Sequence, residues 1–549
     1  MSYSSDTLCT PGDPSLKSQG AHTEVLERMG HLTQSIEEHI GQLSTGHQQL
    51  EAHSPGQGPG EQEALLSHQM GQVVSLLQSE TNGLLPHPLD SRVDIGAGQP
   101  GPFTKPTSDC ETTLVSHDLS NRGNDISTFY HTHFRNYILY HEDKYHEDKN
   151  PSGFINLATC QNKLCTDLIT ERLSREDMNI IEDTLLQYPD WRGHPFLREE
   201  VARFLTHYSK APAQLDPENV VVLNGCCPVL SALAMVLCEP GEAFLTPAPF
   251  YGTFVFSTSL YAKVELIHVY LDSEITEGNT RPFQLTVDKL EHTLLEAQLK
   301  GKKVRGLVLT NPQNPLGDVY SRDSLIEYLE FAKRYNLHVI VDEIYMLSVF
   351  DESTTFHSVL SIKSLPDPKR THVIWGTSKC FGICGFRFGA LYTHNKEVAS
   401  AVSSFGYFHS ISGIAQHKLC RLLQDREWID QVYLPISHSR LQVAHRYITD
   451  KLKELQIPYL HRGAGLYVWI NLKKYLDPCT FEQELLLLRR FLDKKVIVGT
   501  GKFFLCKEPG WFRLVFAERY PQLKLAMDRF CQVLAEQQLE KQPEDTMRM

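Results

Sequence analysis

The rhythm of apolar and polar positions changes along this chain. Up to about residue 110, short helical faces alternate with breakers. Met29, Leu32, Ile36, Ile40 and Leu43 share one face, and Leu65, Met70, Val73, Val74 and Leu77 share another. Around them stand SPGQGPG (54–60) and GAGQPGP (96–102), and Ser, Gly, Gln, His and Pro dominate. Such a segment buries too little apolar surface to offset its chain entropy. Residues 1–110 are therefore expected to form a largely disordered tail with two short helices, available to a protein partner. From about 150 the apolar runs tighten. Val220–Leu223 is followed by Asn-Gly, Val304–Thr310 by Asn-Pro, and further runs occupy 337–341 and 372–375. Before the third run, Ser321 can N-cap a helix, Leu325, Leu329 and Ala332 share its face, and Asn336 can end it. Strand, helix and strand in such close succession form a βαβ unit, whose strands run parallel and are buried on both faces. The expected fold class is α/β.

Composition narrows the function. A chain of 549 residues exceeds what one compact core usually holds. Its net charge of −13 argues against nucleic acid or an anionic membrane as partner. No run of 18 apolar residues occurs, so no transmembrane helix is expected. The start, MSYSSDTLCTPGD, lacks the basic and apolar regions of a signal peptide, and 13 cysteines without such a signal suggest reduced thiols and a cytoplasmic protein. No CxxC pair occurs, and HEDKYHEDK (141–149) has the mixed charge of a solvated face, so no metal site is expected.

The candidate chemistry lies where the strands stop. In sheets of this kind, ligands bind beyond the carboxyl ends of the strands. One run leads into Asn311-Pro-Gln-Asn314-Pro-Leu-Gly317, the next into Asp342-Glu-Ile-Tyr345, and the last into Thr377-Ser378-Lys379, with Arg387 beyond. An amide, a carboxylate, a phenol, a lysine and an arginine would meet at one edge. Pyridoxal phosphate needs this set. A lysine amine bonds to its aldehyde, and a carboxylate keeps the ring nitrogen protonated. An amide and a phenol can bond its 3′-oxygen, and arginine grips the phosphate with a planar fork. Tyr251, in TPAPFYGTF (246–254), is a candidate to cover the ring's face. Each motif is weak alone; their order and spacing on a matching strand pattern carry the reading.

With these residues in view, residues about 150–535 resemble the class I/II aminotransferases of fold type I. Within that family they look like the 1-aminocyclopropane-1-carboxylate (ACC) synthases and the vertebrate ACC synthase-like proteins. The resembling stretches are NPSGFINLATCQNKL (150–164), YPDWRGHPFLREEVARFL (188–205), NPQNPLG, VDEIY, SKCFGICGFRFG and EPGWFRLVFA (508–517). The resemblance implies a mainly parallel large domain with a smaller α/β domain. It makes 111–195 a segment shared by the small domain and the dimer interface, 196–425 the large cofactor-binding domain, and 426–540 the small domain. It implies Lys379 as the lysine bonded to pyridoxal 5′-phosphate and Asp342 as the ring-nitrogen partner. Asn314 and Tyr345 would bind the 3′-oxygen, Ser378 and Arg387 the phosphate, and Tyr251 the ring face. Arg513 would hold the α-carboxylate of an amino-acid substrate. A homodimer with shared active sites is implied as well.

Departures from the family pattern bear on activity. Gly376 stands where a hydroxyl residue is usual, and Gly225-Cys226-Cys227-Pro228 replaces a loop close to Gly-Gly-Ala-Thr. Pro228 has neither hydroxyl nor backbone N–H. Losing two charged hydrogen bonds at roughly 1.5–3 kcal/mol each weakens phosphate binding by about two to four decades. Trp191 replaces the tyrosine that reaches the partner's cofactor, and its indole N–H can still donate. Cys380 replaces an aspartate, and Gln161 a glutamate beside the substrate. Without that carboxylate, a cationic sulfonium substrate and nearby proton transfer lose support. The expected function is an ACC synthase-like, pyridoxal-phosphate-binding protein of amino-acid metabolism, without ACC synthase activity and catalytically weak or inactive. Two alternatives stay open: an active aminotransferase or C–S lyase on an α-amino acid, and a non-catalytic dimer acting through its N-terminal tail.

Overall fold

The computed structural model describes residues 116–275 and 280–540. The tail expected over 1–110, with its two helices, lies outside the described residues. A seven-stranded sheet is built from β2 (Val220–Leu223), β3 (Ala243–Ala248), β4 (Glu265–Tyr270), β5 (Val304–Thr310), β6 (His338–Asp342), β7 (Thr371–Trp375) and β8 (Gly389–Thr393). Its order is β2-β8-β7-β6-β5-β3-β4, and every pairing except those of β8 is parallel.

Alternation along the strands assigns the two faces. Val220, Val222, Val339, Val341, Val373 and Trp375 belong to one apolar cluster, and Val221, Leu223, Ile340 and Ile374 to another. Helices cover both, so the central strands carry apolar residues on both faces. The helix Arg322–Arg334 is capped by Ser321, whose hydroxyl accepts from the Ser324 N–H, and it buries Leu325, Leu329 and Ala332. Asn336 follows its end with φ at +59°, the left-handed conformation that stops a helix.

A third cluster lies around a smaller antiparallel sheet, in which β12 (Trp511–Val515) is flanked by β11 (Gly499–Thr500) and β9 (Tyr467–Asn471). It packs Val468, Ile470, Phe512 and Leu514 against Ile448, Phe491 and Phe530 of the helices Leu434–Glu454, Phe481–Asp493 and Tyr520–Leu539. The early segment is tied to this part of the fold. β1 (Ile155–Asn156) pairs with β10 (Val496–Ile497), and the Val515 N–H donates to the Leu157 carbonyl at 2.8 Å. Residues 158–161 are thereby carried to the edge of the large sheet.

Candidate active site

Strand ends stand level at that edge. Thr310 is registered with Asp342, and Asp342 with Ile374. The Asn311 N–H donates to the Asp342 carbonyl, and the Glu343 N–H to the Ile374 carbonyl, both at 2.9 Å. Whatever leaves β5, β6 and β7 therefore meets in one place. β2 runs the same way as β7, since both are antiparallel to β8. The helix Cys226–Leu237 consequently starts at the same edge, with Gly225 as its N-cap.

A cavity of about 370 Å³ opens there, within the size range of small-ligand sites. Asn314, Asp342, Tyr345, Tyr251, Ser378, Lys379, Arg387, Cys226, Cys227 and Arg513 all line it. Trp191 and Gln161 are not among its lining residues. Trp191 packs edge-on to Tyr407 at 5.3 Å, and the Gln161 amide reaches the Cys384 sulfur at 3.7 Å.

Each lining group is held by its surroundings. The loop after β5 is fastened by Asn311, which donates to the His357 carbonyl (2.9 Å) and accepts from the Tyr320 N–H (3.1 Å). Gln313 donates to the Pro249 carbonyl (2.7 Å), and its own carbonyl accepts from the Tyr467 hydroxyl (3.0 Å). Asn314 is thus presented on a fixed loop. Its Oδ1 accepts from Arg513 Nη1 at 2.6 Å, and Arg513 Nη2 donates to the Ala158 carbonyl. The Arg513 guanidinium lies over the rings of Tyr467 (4.9 Å) and Phe504 (4.5 Å). Arg513 Nε is buried without a partner, an orphan donor that a bound anion would satisfy.

Lys379 Nζ donates to the Cys160 carbonyl at 2.6 Å, and the Tyr345 hydroxyl donates to the Cys160 sulfur at 3.3 Å. Cys160 is among the lining residues that sequence reasoning did not assign to the site. No motif marks it; it arrives through the pairing of β1 with β10. Asp342 is buried, with Oδ1 accepting from the Ile344 N–H at 3.1 Å. Burial pushes its carboxyl up to about 7, against the opposing pull of that N–H and of Lys379.

The anion end of the cavity joins Arg387 to the start of the helix Cys226–Leu237. Gly225 has φ at +129°, and a Cβ there would come within 2.7 Å of Arg387 Nη2. Glycine therefore leaves room for the guanidinium beside a helix N-terminus, an arrangement that attracts anions. The two departures at 376 and 226 are linked in space. A Cβ at Gly376 would stand 2.7 Å from the Phe388 carbonyl oxygen and 3.0 Å from Cys226 Sγ. Cys380 is not among the lining residues; its thiol donates to the Ile344 carbonyl at 3.1 Å, and burial pushes it up to about 12.

Residues 153–530 match the family Aminotransferase class I and II. The chain belongs to that family. It is a pyridoxal-phosphate-dependent family, and this aminotransferase homologue stands with its ACC synthase-like members. It is 64% identical to the "Probable inactive 1-aminocyclopropane-1-carboxylate synthase-like protein 2" of Homo sapiens over the full length of both chains. It is 32% identical to the 1-aminocyclopropane-1-carboxylate synthase 2 of Solanum lycopersicum, over 70% of this chain and 80% of that one. An aspartate aminotransferase from Thermotoga maritima shares the aminotransferase fold, with a TM-score of 0.58 and 23% identity over 76% of this chain and all of its own. Among the described residues, no helix is long and apolar enough to cross a membrane, and no cluster of side chains could hold a metal ion.

Proposed function

We propose that this chain is an ACC synthase-like protein that holds pyridoxal 5′-phosphate at the sheet edge and admits an α-amino acid there. In this reading it lacks ACC synthase activity, and its turnover is weak or absent. The observation that carries the reading is the convergence of Lys379, Asp342, Asn314, Tyr345, Arg387 and Arg513 on one cavity of about 370 Å³.

The residues present fit the cofactor. Asp342, buried and held near neutrality, gains a charge-assisted partner from a protonated ring nitrogen. Asn314 and Tyr345 offer an amide and a phenol to a ring oxygen, and Tyr251 offers an aromatic face. Arg387, Ser378 and the N-terminus at Cys226 and Cys227 face the phosphate. When bound, the group supplies an electron sink for bonds at an amino acid's α-carbon. Lys379 holds its aldehyde end and is the base that moves the α-proton at Nζ. Arg513, with one free buried donor, orients the substrate carboxylate.

The loss of ACC synthase chemistry rests on Gln161. Its amide, engaged with Cys384, offers no carboxylate to a sulfonium substrate. The same reading makes 196–425 the large domain, 426–540 the small domain, and 111–195 a segment serving the small domain and the interface of a homodimer. The described cysteines are free thiols, which suits a cytoplasmic protein.

The test is reconstitution. Purified protein mixed with pyridoxal 5′-phosphate is expected to gain a visible absorbance band, and borohydride to fix the group on the Lys379 peptide. S-adenosylmethionine is then expected to yield no ACC. Absence of any adduct on Lys379 would overturn cofactor binding, and ACC formation would overturn the assigned loss.

A further inference from the structure

The cavity has a second half that the cofactor-facing residues do not account for. Beyond Arg513 its wall is rich in aromatic residues, in two groups of ring contacts joined through the backbone at Gly252. Phe504 lies under the Arg513 guanidinium and meets Phe503 edge-on at 5.1 Å. The Phe503 carbonyl abuts Gly252 so closely that a Cβ there would overlap it. Gly252 caps the helix Thr253–Ser259, and Phe256 of that helix stacks on Phe129 with centroids 3.8 Å apart. Phe134 meets Phe256 edge-on at 6.1 Å. Phe129 and Phe134 come from the helical segment 121–142, which contributes Tyr137 to the lining as well. Phe503 remains 39% exposed at this wall.

Charge decides what such a wall selects. The charged side chains of the lining are Lys379, Asp342, Arg387 and Arg513. Each is already matched to the cofactor or to the α-carboxylate. Among the described lining residues, no further cation stands ready for a second carboxylate, and no further carboxylate for a sulfonium or ammonium side chain. Burying either charge unpaired against aromatic rings is costly, whereas an apolar ring gains burial and edge-to-face contacts.

We infer that the substrate side of this cavity selects an α-amino acid with an uncharged aromatic or large apolar side chain, seated between Phe503 and the Phe129–Phe134 wall. The inference rests on the reading of Arg513 as the carboxylate anchor. The probes are indole-3-propionate, an aromatic monocarboxylate, and maleate, a dicarboxylate. Neither carries an amine, so binding is read without turnover. Calorimetric titration is done on the full chain, with and without added pyridoxal 5′-phosphate. Indole-3-propionate is expected to bind at least tenfold more tightly than maleate in both states. A Phe129→Ser/Phe503→Ser double variant is expected to lose that preference while its visible cofactor band persists. Equal or tighter binding of maleate would overturn the inference, as would a preference that survives the double substitution. If the variant fails to fold, Phe503→Ser alone is compared with the wild type, and an unchanged ratio has the same meaning. A missing visible band with the tenfold preference intact would instead sink the cofactor reading and leave the selectivity standing. If Arg513→Lys leaves indole-3-propionate binding unchanged, the carboxylate anchor is wrong and the inference falls with it.

Discussion

Asp342 shows how one side chain joins stability to function. Its carboxyl, normally ionised near pH 4, is raised to about 7 by burial. A group whose folded pKa is raised contributes stability that is complete below its unfolded pKa and is lost as pH rises through the folded one. At pH 8 the cofactor-free chain therefore carries a buried, poorly solvated charge. Asp342→Asn is expected to stabilise the cofactor-free protein at pH 8 by about 1–3 kcal/mol, to do little at pH 4, and to weaken pyridoxal 5′-phosphate binding. Urea midpoints at the two pH values check this, and a destabilised variant at pH 8 would contradict it. Sequence reasoning reaches residues such as Asp342 and Lys379 because each follows an apolar run at a punctuated strand end. It does not reach Cys160 or Phe503, whose places depend on pairings between segments hundreds of positions apart.

At the level of elements, the large sheet carries a buried polar ladder across three strands. His338 of β6 meets His372 of β7 at 3.0 Å (Nδ1 to Nε2), and His372 Nδ1 meets Thr393 Oγ1 of β8 at 2.9 Å. Burial pushes the two histidines down to about 4 and about 3. Both stay neutral in the fold, while an unfolded chain protonates them near pH 6.5. The unfolded state thus binds more protons below that point, and stability declines as pH falls from 6.5 toward 4. Each histidine contributes a slope of about 1.4 kcal/mol per pH unit. Asp342 and Glu343, each raised to about 7, act in the opposite direction over the span between their unfolded values near 4 and about 7. These slopes largely offset each other between pH 4.5 and 6, so the ladder is read in Asp342→Asn, whose stability is expected to fall by about 1–2 kcal/mol between pH 6 and 4.5 in urea midpoints. A flat profile of that variant across this window would refute the assignment. The run 220–223 is legible as a strand because it is apolar throughout, and 304–310 because Leu307, Val308 and Leu309 form an apolar run before the Asn-Pro break. The two-residue strands β1 and β10 are not, because tertiary pairing alone makes them extended. β8 also escapes, since GALYT lacks the continuous branched run that marks its neighbours.

At the scale of the whole molecule, one surface remains unsatisfied. Tyr188, Trp191, Tyr407 and Phe408 form a chain of ring contacts at 5.9, 5.3 and 5.1 Å. Tyr188 is 90% exposed, Tyr407 65% and Phe408 79%, and Leu186 lies close by in sequence at 66%. Scattered exposed rings need no explanation, but a connected aromatic patch marks an association surface. The patch also explains why Trp191 stays out of its own chain's cavity. In the homodimer proposed above, Trp191 would face the second subunit, where its indole N–H could donate to that subunit's cofactor phosphate. The expected state in solution is thus a dimer whose cofactor affinity depends on assembly. Tyr407→Asp/Phe408→Asp places two charges on the patch and is expected to shift sedimentation to the monomer. Cofactor affinity should then drop about tenfold, the equivalent of one charged hydrogen bond, with the circular dichroism of the fold retained. Trp191→Phe separates the two effects, because it removes the N–H while leaving the aromatic surface. It should preserve the dimer and lower cofactor affinity alone. A wild-type protein that sediments as a monomer at micromolar concentration would overturn the dimer. A dimer in which Trp191→Phe binds cofactor as tightly as the wild type would remove Trp191 from the site.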